Sequence, residues 1–160
     1  MLIKEAKKIT ESLTRTSKMP GLSYSLPAWA CQTGAKLRKI PTSPCFGCYA
    51  MKNNYIRYPA IKAAQYRRLD AITHPQWVEA MVAQIKRQKW FRWHDAGDLQ
   101  SSEHMQKIIE VCKLTPDTKH WLPTQERQYL PKPEDVPENL IIRLSAAKVD
   151  GTAGNAWSHS

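Results

Sequence analysis

Three cysteines carry the chemistry most legible in this sequence. Cys45 and Cys48 are separated by two residues in the stretch PTSPCFGCYAMKNNY, residues 41–55, and Cys31 lies fourteen positions upstream of Cys45. Thiolates are soft ligands, and such a set can form a disulfide, close around zinc or hold an iron–sulfur cluster. A disulfide, or a redox pair formed by Cys45 and Cys48 alone, leaves Cys31 without a task. Structural zinc wants four closed ligands, usually as two paired knuckles. The loop supplies one pair and no histidine, so zinc must recruit Cys112 or a distant His. A [4Fe–4S] cluster accepts three thiolates and leaves one iron open. The donor set therefore favours a cluster held by Cys31, Cys45 and Cys48, with zinc as the alternative. Cys112 follows Met105 by seven residues and Ile108 by four, on an apolar helical stripe, and is read as a small core residue.

The elements around the loop determine what faces it. Leu2, Ala6, Ile9 and Leu13 recur at helical spacing and predict a helical extension within residues 1–19, ended by Pro20 and Gly21. LSYSL, residues 22–26, alternates as a strand, and the cysteine loop follows it. Two helices are expected next, one starting near Pro59 and one after Thr73 with Trp77, Val78, Met81, Val82 and Ile85 on one face. The aromatic strand KWFRW then runs into HDAGD, a helix begins at Ser101 or Ser102 and closes before Pro116, and KHWLPT and LIIRLSA form the last strands. LIIRLSA, nearly continuously apolar, reads as covered on both faces. This alternation is that of a parallel α/β sheet, and four strands make a partial, half-TIM-like barrel with outer helices. Ligands collect at the carboxyl ends of such strands, where the cysteine loop and HDAGD both fall. Strand alternation sends His94 and Asp95 to opposite faces, so only one of them can aim at the site. His94 is a candidate fourth ligand or proton donor, or a histidine satisfied at a strand end. Trp90, Phe91, Trp93 and Trp121 read as core and barrel lining, and Tyr49 as a shield beside Cys48.

Composition limits the partners. The chain has 160 residues, 42% of them hydrophobic, which suits one globular domain spanning residues 1–160. No apolar run approaches a membrane span and the N-terminus is too charged for a secretory leader, so no membrane and a cytoplasmic location are expected, with thiols kept reduced. The formal net charge of +10 would attract polyanions, but the cations are scattered and form no basic arm; nucleic acid stays a possible partner.

Four stretches then resemble a known family: KMPGLSYSLPAWACQTGAKL, SPCFGCYAMKNNY, FRWHDAGDLQSSEHMQKI and WLPTQE resemble the phage and prophage gene product eighty-eight family, from about Lys18 to Gly151. The resemblance implies a phage protein in the host cytoplasm. It also implies relatives that continue into further cysteines, so a chain stopping at DGTAGNAWSHS is expected to be a shorter or truncated form. More distantly, the arrangement is similar to the first half of a radical S-adenosylmethionine (SAM) enzyme. That similarity implies a cluster whose open iron binds SAM, a small molecule or a redox partner. AGDL stands where the methionine-binding motif would be, which makes Gly97 and Asp98 candidate cofactor-binding residues: the glycine for close approach, the carboxylate to accept from an amino group. Asp98 also suits a cap or first-turn position on the helix beginning near Ser101. This chain departs from the radical SAM pattern in placing thirteen residues, not three, between its first two cysteines. The expectations are an iron–sulfur protein with an electron-transfer or minimal redox role; a zinc-stabilised, basic nucleic-acid-binding protein and a minimal radical SAM enzyme are the alternatives.

Overall fold

The computed structural model describes residues 1–152; the final residues, and with them the expectation about where the chain stops, lie outside the described residues. The elements in order are α1 (Ile3–Thr10), β1 (Thr14–Arg15), β2 (Leu22–Tyr24), α2 (Gln32–Leu37), α3 (Asn54–Arg57), α4 (Pro59–Ala71), α5 (Trp77–Ile85), β3 (Trp90–Trp93), α6 (Ser102–Leu114), β4 (Lys119–Thr124) and β5 (Leu140–Leu144). The strands form one mixed sheet in the order β1-β2-β3-β4-β5, with β1 antiparallel to β2 and the other pairs parallel. The four expected strands are all present and parallel. The two-residue edge strand β1 adds to them, and the linear order leaves β1 and β5 as open edges.

One face of the sheet is sealed by α5 and α6. At a two-residue period, Phe91 and Trp93 of β3, His120 and Leu122 of β4 and Leu140, Ile142 and Leu144 of β5 turn toward the helices and are buried. Trp93 packs edge-on against Phe91 with ring centroids 4.8 Å apart and stacks on His120 at 6.0 Å, while Trp77 of α5 lies 6.0 Å away. The Trp77 indole donates to the Tyr24 hydroxyl at 3.1 Å, which in turn donates to the Arg68 carbonyl at 2.8 Å, so the buried polar tips are paired. Met105, Ile108, Val111 and Cys112 of α6 complete this core, and Cys112 is fully buried there as expected of a core residue. The helix α1 docks on α5, with Ala6 against Ala80 and Ala83.

The other face is less covered, and here the structure corrects two expectations. Strand β5 is not buried on both sides: it alternates, with Ile141 42% exposed and Arg143 exposed. An apolar run shows what a strand can bury, and among the described residues no layer covers its second face. Likewise Trp90 is exposed and Trp121 is only partly buried under the Arg92 guanidinium, 4.8 Å from its ring, so only Phe91 and Trp93 of the four aromatics are core.

Candidate metal centre

Strand β2 leads through a 3-10 turn, Ala28–Ala30, to Cys31, which occupies the N-cap position of α2. Cys45 and Cys48 lie on a tight turn in which the Ser43 hydroxyl accepts from the Cys45 amide at 3.1 Å and the Cys48 amide donates to the Cys45 carbonyl at 3.3 Å. Gly34, on the first turn of α2, shows that these segments meet. A Cβ at Gly34 would stand 3.0 Å from the Cys31 Cβ, 3.7 Å from its sulfur and 3.9 Å from the Cys45 sulfur. Behind them Ala28, Ala50 and Ala96 pack together with Cys31 and Cys48 against their cluster. Small residues on three separate segments let the backbones close in. The structure thus gathers Cys31, Cys45 and Cys48 at the carboxyl end of the sheet. Among the described residues no three His, Cys, Asp or Glu side chains already converge as ligands of a single metal ion.

The electrostatics suit a cation. Burial pushes the Cys31 thiol up to about 12, with the Asp98, Cys48 and Cys45 charges adding and Arg38 opposing. Burial, then the neighbouring Cys48, raises Cys45 as well. Both thiols therefore keep their protons at neutral pH until a metal displaces them, and binding must release protons. Arg38 is held beside them by donating to the Ala28 carbonyl at 2.9 Å.

A residue the motifs did not single out holds this loop in place. Glu126, fully buried after β4, accepts from the Thr33 amide at 2.7 Å, the Thr33 hydroxyl at 2.7 Å and the Gln32 amide at 3.2 Å. These are the amides that open α2 directly after Cys31, where orphan donors and the positive end of the backbone dipoles call for an anion. A carboxylate just beyond a strand, at the end of the sheet that carries the cysteines, was the available signal.

The HDAGD turn separates its residues. His94 adopts φ +55° and turns into the helix layer beside Trp93 and His104, its ring centroid 5.3 Å from that of His104; among the described residues neither ring nitrogen has a hydrogen-bond partner. Burial, with His104 and Arg92 nearby, holds it neutral, far below the usual histidine range. Asp95 points the other way, as alternation required: its carboxylate accepts from the Ser23 hydroxyl and, at 3.0 Å, from Tyr55, while Tyr49 donates to its carbonyl. Gly97 has φ +81°, and a Cβ there would lie 2.5 Å from the Leu26 Cβ; its freedom serves the close passage of β3's exit over the end of β2. Asp98 ties β3 to β4 by accepting from Thr124 at 2.5 Å, from the Gln125 amide at 2.9 Å and from its neighbour Leu99 at 2.8 Å. Burial raises it to about 6 despite those bonds. Asp98 lies near Cys31 and Cys45, but its oxygens are engaged within the protein; the cap of α6 is Ser101, accepting from the His104 amide at 3.0 Å.

Fold and site together define an α/β protein with a parallel-sheet core and a three-thiol loop following its first parallel strand. The chain belongs to the gene product 88 family, a phage gene-product family whose pattern it matches over residues 1–157. Comparison with curated proteins gives no match, and comparison with solved structures gives none. Among the described residues no helix is long and apolar enough to cross a membrane.

Proposed function

We propose that this is an iron–sulfur protein that binds a [4Fe–4S] cluster through Cys31, Cys45 and Cys48 and serves electron transfer or a minimal redox reaction in the host cytoplasm. The convergence of the Cys31 and Cys45 sulfurs on the floor formed by Gly34, with Cys48 alongside, carries the reading. Three thiolates with no fourth protein ligand aimed at the same place among the described residues suit a cluster with one open iron better than a closed zinc site. When bound, the cluster supplies one-electron chemistry and one coordination position for a small molecule. The protein's own residues do the rest: Glu126 fixes the start of α2, the alanine cluster excludes water behind the thiols, and Arg38 offsets negative charge. The chain-order arrangement of β2 through β5 supports the half-barrel reading. The engaged oxygens of Asp98 and the packing of Gly97 on Leu26 favour an occupant other than SAM at the open iron.

Anaerobic purification with iron and sulfide analysis tests this. A brown protein with about four irons and four sulfides per chain is expected. Single replacement of Cys31, Cys45 or Cys48 by Ala removes the iron, whereas Cys112→Ala, in the core, keeps it. Gly34→Ala, which fills the space between two sulfurs, lowers loading while the chain stays folded. A colourless, zinc-loaded protein, or equal iron loss from all four cysteine variants, sinks the reading.

A further inference from the structure

A cavity of about 770 Å³ opens beside the cysteine loop, between the connection of β1 to β2 and the wall formed by Tyr49 and Tyr55. Its volume falls within the roughly 300–1,000 Å³ of small-molecule sites. Three cations line it: Arg15, Lys18 and Arg92. The single carboxylate among its lining residues, Asp95, has both oxygens occupied, by the Ser23 and Tyr55 hydroxyls. Arg92 is the most telling of these. Its guanidinium is stacked on Trp121, its Nε is buried with no hydrogen-bond partner among the described residues, and its other contacts are uncharged: a terminal nitrogen meets the Met19 thioether, a weak acceptor, at 3.0 Å, and the Tyr49 hydroxyl lies beside it. Among the described residues none of the three cations has an ion-pair partner. A half-buried guanidinium without an anion is costly, and its planar fork matches a carboxylate or phosphate in two parallel bonds. Tyr49 and Tyr55, in edge contact at 5.9 Å, give the same space an aromatic wall.

We propose that this cavity binds a small organic oxyanion: a carboxylate or phosphate group seated on Arg92, carried by an apolar or ring-bearing body against Tyr49 and Tyr55. Arg15 and Lys18, both exposed, attract the charge and contribute less to holding it. The cations come from the β1–β2 region and β3, none from the cysteine loop, so the site stands independently of the cluster. Tyr49 follows Cys48 directly and puts a bound molecule next to the loop.

Benzoate and phenyl phosphate, with benzamide as the neutral control, are titrated calorimetrically into the 160-residue chain, and iron is measured on the same preparation. At least one of the two anions binds and benzamide does not; the stronger of the two identifies the headgroup. Arg92→Gln weakens binding by about tenfold or more, and Arg92→Lys, which keeps the charge but loses the fork, by an intermediate factor. The double variant Arg15→Gln/Lys18→Gln, altered only at exposed positions, weakens it by about threefold and flattens its salt dependence. If neither anion binds at millimolar concentration, if benzamide binds equally well, or if both the Arg92→Gln and the double variants bind as the parent does, the proposal is overturned. Anion binding by iron-free protein leaves it standing while counting against the cluster; normal iron without anion binding does the reverse.

Discussion

Under α5 and α6, Trp77, Trp93, Phe91 and Met105 fill the sheet's covered face, each with essentially no exposure, and many apolar contacts share the burden of holding any one of them. From Cys31 to Cys48, by contrast, only Gly34 and Ser43 are buried, and the loop is kept in place by a few polar tethers: Glu126 to Gln32 and Thr33, and Arg38 to Ala28. The first region is insured by redundancy and the second is not. Damage to the core should cost the fold. Damage to a tether should cost the site while much of the fold survives.

The largest effect is expected in the core. Trp93→Ala removes a ring at the centre of the aromatic cluster and should cost about 3–5 kcal/mol in chemical unfolding. A loss under about 1 kcal/mol would show that the covered face is less tightly packed than the geometry indicates.

Acid should come second, and again through the core. His94, His104 and His120 are buried neutral, with burial pushing His104 down to about 3 and His120 to about 4, against about 6.5 in the unfolded chain. Below about pH 6.5 the unfolded state takes up protons that the folded state refuses, so stability is full above that pH and drains as pH falls toward 4. Asp98 works in the opposite sense, because its raised pKa of about 6 lets the folded chain take a proton first. Three histidines against one carboxylate leave a net loss, at most about 1.4 kcal/mol per pH unit for each net proton. Urea midpoints at pH 7, 6 and 5 should fall steadily; a flat or rising series breaks the assignment.

The smallest effect on folding, and a larger one on the site, is expected at the tether. Glu126→Ala strands two amides and a hydroxyl at the start of α2 and should cost about 1–3 kcal/mol, with faster loss of iron to a chelator. Glu126→Gln, which still offers one acceptor oxygen, should fall between. Iron retention unchanged in both would separate Cys31 from Glu126 and blur the difference between core and loop.

The same contrast explains what could be read in advance. The parallel strands carry apolar runs or alternation, α5 and α6 carry helical periods, and α4 and α6 carry start signals in Pro59 and Ser101, so local pattern is enough to indicate them. The gathering of the three cysteines at the carboxyl end followed from topology. Helix α2 stayed hidden because its six residues include a glycine and its stabilising anion sits on another crossover. Strand β1, two residues long, is below any pattern's reach. In the sequence Asp98 reads as ligand or cap, yet its partners Thr124 and Gln125 lie 26 and 27 positions away, where no local motif indicates them. Ile141 shows the limit from the other side, since an apolar side chain signals burial only where something covers it.

The tether also sets an order in time. Thr33 and Glu126 are 93 positions apart, so the three thiols emerge from the ribosome well before the carboxylate that fixes Cys31. At roughly 5–20 residues per second, the nascent loop waits on the order of 5–20 seconds for that partner. During this interval it offers thiols to solvent without a fixed arrangement. Only a chain synthesised past β4 can hold Cys31 in its final place, so maturation of the site follows the appearance of Glu126.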